Sequence, residues 1–164
     1  MATQLKNLSD FSGIEIPSAA PFSFGILVAE WNTEITGALY RGAYKSLLAH
    51  GALPENIQTY AVPGSFELTS GADIALKKSQ LDAIICLGCV IQGETRHFDF
   101  ICNAVANGLS NVAIKYSKPV IFGVLTTDNQ QQAIDRSGGK HGNKGDEAAI
   151  TAIKMVDLAA TLKS

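Results

Sequence analysis

Directly behind the apolar run that begins at Ala83 stand Gly93, Glu94, Thr95, Arg96 and His97, which place a carboxylate, a hydroxyl, a guanidinium and an imidazole together. The run itself has the length and β-branched content of a strand buried on both faces. In open α/β sheets, ligands bind just outside the carboxyl ends of the strands. A helix starting near Thr95 aims backbone N–H groups and the positive end of its dipole past such a strand, an arrangement that suits an anion. His97 then stands beside the anion with a ring able to give or take a proton near neutral pH. The plainer alternative is a half-buried histidine bonded within its helix, with Glu94 and Thr95 acting only as caps. Capping and anion binding are compatible.

The ends of the other apolar runs are also rich in functional side chains. Glu30-Trp31-Asn32 follow the first, Pro63-Gly64-Ser65-Phe66-Glu67 the second and Thr126-Thr127-Asp128 the fourth. Trp31, the only tryptophan, is either an anchor at a helix start or a stacking plate for a flat heterocycle. Glu67 falls in a first helical turn, where it serves the macrodipole or meets a polyhydroxylated ligand. The segment from Asp135 to Gly145 combines four glycines with Arg136, Lys140 and Lys144. It reads as a solvated loop or as a flexible carrier of cations to a phosphate, and it lacks the residue order of a Walker A motif. Cys86 and Cys89 have the spacing of a redox or metal pair, but they sit inside an apolar strand with no second ligand pair, which makes them buried structural thiols. No metal is indicated.

Four strand-like runs alternate with helical periods and position these groups. Phe24 to Ala29 reads as a buried strand, followed by a helix from Asn32 to His50 with Ile35, Leu39, Ala43 and Leu47 on one face and Gly51 closing it. Ile57 to Ala61 and a helix from about Phe66 to Lys78 form the second cycle, broken at Pro63-Gly64. The Ala83 strand and a helix from Thr95 to Tyr116 form the third, Val120 to Leu125 and a short helix from Gln130 to Asp135 the fourth. A last helix carries Ala149, Ile153, Val156 and Ala160 on one face. The alternation predicts a parallel sheet covered by helices on both faces, with right-handed crossovers. Residues 1–20 read as an N-terminal arm and 21–164 as a single domain, with Gly13 to Pro17 able to pair with a sheet edge, that of a neighbouring subunit included.

At 164 residues the chain can bury its own core without staples. Only 17% of residues are charged, against a usual share of about 25%, so part of the surface is suited to self-association. A net charge of −2 and the absence of long basic runs exclude an electrostatic footprint for nucleic acid or an anionic membrane. No apolar run approaches the roughly 20 residues of a membrane span, and the first residues lack an export signal, which makes the cytoplasm the expected location. Three cysteines in such a chain do not suggest a disulfide framework.

Taken together, Val62-Pro-Gly-Ser-Phe-Glu67, Gly88-Cys-Val-Ile-Gln-Gly-Glu-Thr-Arg-His-Phe98, Pro119-Val-Ile-Phe-Gly-Val-Leu-Thr-Thr127 and Gln132-Ala-Ile-Asp-Arg136 with Gly142-Asn-Lys-Gly145 resemble the lumazine synthases. Each segment is moderately specific; the set, in this order from Phe24 to the C-terminus, is highly so. The resemblance implies a three-layer α/β/α fold with a four-stranded parallel sheet of flavodoxin-like topology. It implies condensation of 5-amino-6-ribitylaminouracil with 3,4-dihydroxy-2-butanone 4-phosphate, releasing phosphate and water, in riboflavin biosynthesis, without cofactor. On that basis Trp31, Ser65, Phe66, Glu67, Cys89, Val90 and Ile91 hold the uracil, and Glu94, Thr95 and Arg136 hold the butanone phosphate. His97 moves protons. Phe122 and Lys144 are expected to enter from a neighbouring chain of a pentamer, and the short loop between Arg136 and Lys144 resembles that of members whose pentamers build a sixty-subunit icosahedral shell. Riboflavin synthase is a candidate guest of such a shell. Gln92 stands where many relatives have a basic residue, which shifts phosphate binding toward Arg136 and the helix N-terminus. Two other readings remain open from the residues. A flavin-binding electron carrier would need a phosphate loop where this chain has Glu30-Trp31-Asn32. A shell scaffold without catalysis would have no use for Trp31, Glu67, His97, Arg136 and Lys144 together.

Overall fold

A computed structural model describes residues 7–162. Its centre is a wholly parallel sheet of four strands, β1 (Phe24–Ala29), β2 (Ile57–Val62), β3 (Ala83–Ile91) and β4 (Val120–Thr127), in the order β2-β1-β3-β4. The first seven residues of β3 are buried, because β3 lies between β1 and β4 and is covered on both faces. Apolar side chains in succession give such a strand two buried faces, where alternation would give one.

Helices α1 (Thr33–Ala49) and α5 (Lys144–Thr161) cover one face, and α2 (Leu68–Lys78) and α3 (His97–Tyr116) cover the other. The expected stripe of Ile35, Leu39, Ala43 and Leu47 is the buried face of α1, where it meets Ala149, Ile153 and Val156 of α5. On the opposite face Leu68, Ala72 and Leu76 of α2 pack with Val105 and Leu109 of α3 over Leu27, Ile84 and Val124. Asp73 of α2 ties those two helices together by pairing with Lys115 and with the Tyr116 hydroxyl at 2.9 Å, and it pairs with Lys77 within α2 at 2.7 Å. These donors, Lys115 first, hold its carboxyl well below the usual carboxylate range.

Several boundaries differ from expectation, each for a local reason. Helix α2 begins at Leu68 because Ser65 to Glu67 complete the turn that Pro63-Gly64 opens, with Glu67 at the cap. Helix α3 begins at His97, two residues beyond Thr95, whose hydroxyl accepts from the His97 amide at 3.4 Å. The glycine-rich segment is more ordered than a solvated loop: after α4 (Gln130–Arg136) it forms a small hairpin of β5 (Ser137–Gly139) and β6 (Gly142–Asn143).

The segment from Gly13 to Pro17 is not a strand within this chain. Gly13 turns at a φ of 75°, and Phe11, Ile16 and Phe22 pack onto the α1 and α5 side of the core. Farther back the arm reaches the hairpin, where the Leu8 amide donates to the His141 carbonyl and the Asn143 amide to Ser9 Oγ, both at 2.8 Å. No helix among the described residues is long and apolar enough to cross a membrane.

Candidate active site

Strand order sets the place of the site before any side chain is considered. The chain leaves β1 to one side toward β2 and returns on the other side to β3, so the loops after β1 and β3 diverge and leave a crevice at the carboxyl end of the sheet. Four sequence-expected segments border it, those beginning at Trp31, Ser65, Cys89 and Glu94.

Beyond β1 the pairing with the β2 side continues for two residues, the Glu30 amide donating to the Val62 carbonyl at 2.8 Å and the Trp31 amide to the Pro63 carbonyl at 3.2 Å. Trp31 is thereby held beside the Pro63 to Glu67 turn. Trp31 is 73% exposed and Phe66 55%. An exposed indole is not a core anchor, which removes the plainer reading of Trp31. Ser65 is buried, its hydroxyl packed so close to Gly88 of β3 that a Cβ there would lie 2.6 Å from Oγ. That hydroxyl and Thr127 Oγ1 are buried without a hydrogen-bond partner among the described residues. The Glu67 carboxylate is turned back over Gly64.

On β3, Cys89 is buried while Val90 and Ile91 are half-buried at the strand's end. Burial pushes the Cys89 thiol up to about 11 and the Cys86 thiol higher still, so neither carries thiolate near neutrality. Glu94, Thr95 and His97 follow on the exposed approach to α3. The side chains of Trp31, Glu67, Glu94 and His97 make no hydrogen bond to another described residue and are free to meet a ligand.

Arg136 closes α4, half-buried, its Nη1 donating to the Gln132 carbonyl at 3.1 Å. The neighbouring Asp135 is buried and accepts from Gln131 Nε2 at 3.0 Å and Lys140 Nζ at 3.0 Å, which keeps its carboxyl below its ordinary range. Its carbonyl accepts from the His141 amide at 2.9 Å. Lys140, grouped with Arg136 and Lys144 as a mobile cation, is therefore engaged in latching the hairpin.

Phe122 and Lys144 stand elsewhere, and Arg136 goes with Lys144, since the residues next to them, Ser137 and Asn143, pair across the hairpin. Phe122 pairs in register with Cys86, deep along the sheet's edge strand and well before the carboxyl rim. Lys144 opens α5 and pairs with Glu147 at 2.8 Å. Both line an open groove of about 760 Å³ along β4, with Ile114, Met155, Leu158 and Leu162.

Asn32 went unrecognised in the sequence as more than part of a rim. It adopts a left-handed conformation, φ 61° and ψ 47°, and its side-chain amide donates to the Cys89 carbonyl at 3.1 Å across the crevice. The sequence signal was asparagine itself, a residue that tolerates this conformation more readily than most.

A four-stranded parallel sheet in the order β2-β1-β3-β4, wrapped by helices on both faces, is a doubly wound α/β fold of the flavodoxin-like class. A family model described as 6,7-dimethyl-8-ribityllumazine synthase matches residues 21–160. Curated relatives carrying that name include one from Cytophaga hutchinsonii, 64% identical over 99% of this chain and 100% of its own. Another, from Parabacteroides distasonis, is 52% identical over 98% of this chain and all of its own length. A third, from Flavobacterium johnsoniae, is 54% identical over 94% of this chain and 82% of its own. The chain belongs to the 6,7-dimethyl-8-ribityllumazine synthase family, and it is a transferase-type condensing enzyme of riboflavin biosynthesis.

Proposed function

We propose that the β1/β3 crevice binds 5-amino-6-ribitylaminouracil, with Trp31 stacked on its ring and Ser65, Phe66 and Glu67 along its ribityl chain. Cys89, Val90 and Ile91 wall the same crevice. The 3,4-dihydroxy-2-butanone 4-phosphate lies toward Glu94, Thr95 and Arg136. The observation that carries this reading is the pair of exposed aromatic residues Trp31 and Phe66 after the ends of β1 and β2, on the same rim of the sheet as carboxylate and imidazole groups that no other described side chain engages.

The chemistry follows from the substrates. The uracil's 5-amine attacks the ketone to give a carbinolamine, which loses water to an imine; loss of the proton next to the imine then expels phosphate. Closure onto the ribitylamine completes the second ring with release of another water. Each step moves a proton, and His97 is the group assigned to do so. Holding two reactants in one crevice supplies an effective molarity that reaches about 10⁵ M or more for well-oriented groups, while general acid–base catalysis adds about 10² to 10⁴. His97→Ala is therefore expected to lower kcat by about 10² to 10³ without abolishing turnover. The check is the product's fluorescence on mixing the two substrates with pure protein; complete loss in a variant that still folds and binds would contradict this division.

The catalytic unit is a pair of neighbouring protomers in a pentamer, twelve of which close a sixty-subunit shell in the cytoplasm able to hold riboflavin synthase. Support comes from the separation of Phe122 and Lys144 from the rim, and from the exposed Ile114, Met155, Leu158 and Leu162 around them. An arm from a neighbouring subunit also has a free edge to meet at β2. Refolding an equal mixture of His97→Ala and Lys144→Ala chains together is expected to restore full activity at about one site in four, as random pairing of heterologous neighbours requires. Activity no higher than the mean of the two parents would place Lys144 in its own chain's site.

A further inference from the structure

Asn32 is one of two non-glycine residues among those described with a positive φ, and it falls at the switch point itself. Asparagine is a favoured helix cap, yet this one makes no side-chain cap bond to α1. Its backbone carbonyl takes the cap role, accepting from the amides of Ile35 at 2.9 Å and Thr36 at 3.0 Å. The side-chain amide is left to reach the Cys89 carbonyl on β3 at 3.1 Å. That carbonyl lies past the last paired residues of β1 and β3, Val28 and Leu87, where the sheet supplies no donor from β1.

Two demands meet at this one position. The chain must turn left-handed immediately after Trp31 to enter α1, and the diverging strand end needs a donor. Glycine satisfies the first and not the second, aspartate likewise, and alanine satisfies neither.

We propose that Asn32 is a positioning residue of the active site: its left-handed turn and its bond to Cys89 together fix the Trp31 plate against the end of β3. It acts through Trp31 and need not touch substrate. The inference rests on the reading that Trp31 stacks on the uracil.

Trp31 is the only tryptophan, so its emission reports on this loop alone. The test uses the full chain in its native assembly. In the parent protein 5-amino-6-ribitylaminouracil is expected to quench Trp31; no quenching would overturn the stacking reading and this inference with it. In Asn32→Gly and Asn32→Asp, the KM for the uracil is expected to rise about tenfold through the loosened Trp31, with the ketose phosphate KM within about twofold. Trp31 anisotropy should fall in both, while assembly size holds and the thermal midpoint drops by no more than about 5 °C, the share of one hydrogen bond. Parental uracil KM and Trp31 anisotropy in both variants, with quenching intact, would overturn the inference alone. Equal loss in both KM values with a thermal midpoint lowered further than that would assign Asn32 a merely structural role and also overturn it.

Discussion

Arg136→Ala is expected to cost about 10² to 10³ in kcat/KM, the range for removing a charged hydrogen-bonding partner of a phosphate, with the ketose phosphate KM carrying most of the loss. The side chain is prepared for that work. Its Nη1 is held on the Gln132 carbonyl, and the segment behind it is pinned by the buried Asp135 through Gln131, Lys140 and the His141 amide. Gln92 carries no charge and Lys140 is engaged by Asp135, so Arg96, its side chain 89% exposed before α3, is the cation left beside Thr95. Arg136→Lys should restore only part of the loss, because an ammonium offers a point charge where the guanidinium offers a planar fork. Steady-state kinetics with each substrate varied in turn decides the matter. A rise confined to the uracil KM would remove Arg136 from the phosphate.

Gly145→Ala is expected to destabilise the fold by about 3 kcal/mol or to prevent accumulation of folded protein, at the severe end of overpacking. Gly145 stands in the first turn of α5 where it crosses α1, and a Cβ there would overlap the Leu39 carbonyl oxygen and lie 3.0 Å from the Ala43 amide nitrogen. The obstacle is helix backbone, so relief requires the two helices to part. Gly42, on the facing helix, is also tight, a Cβ there lying 2.6 Å from the side chains of Asn143 and Asp146. Gly37→Ala is the matching control: its nearest neighbour is the flexible tip of Arg41 at 3.4 Å, and the added methyl should stabilise α1 by about 0.5 to 1 kcal/mol. Urea unfolding of the three proteins gives the comparison, and a Gly145→Ala midpoint equal to the parent's would refute the account of this crossing. Because Lys144 adjoins Gly145, a displaced α5 also displaces a residue assigned to the neighbouring site.

Whatever depended on local pattern could be read from the chain. Period 3.6 along Ile35, Leu39, Ala43 and Leu47 and unbroken apolar runs such as Ala83 to Ile91 gave the helices, the strands and their parallel pairing, since a helix between successive strands leaves little other choice. The carboxyl-end rule then assigned Trp31, Glu67 and His97 to one rim. Motif likeness, and not periodicity, named the reaction.

Only tertiary structure decided the rest, because it depends on which distant groups meet. The glycine-rich segment looked like solvated chain, but a carboxylate buried at Asp135 and an arm returning from Leu8 and Ser9 made it a hairpin. Trp31 had two readings until its indole was found in solvent. In sequence Asn32 is only a rim residue at a helix start, because its partner is Cys89, fifty-seven residues away, and no spacing rule encodes a hydrogen bond across a sheet. Local sequence sets the backbone's periodic choices through sterics and burial, whereas side-chain partnerships are settled only when the packed layers bring the groups within reach.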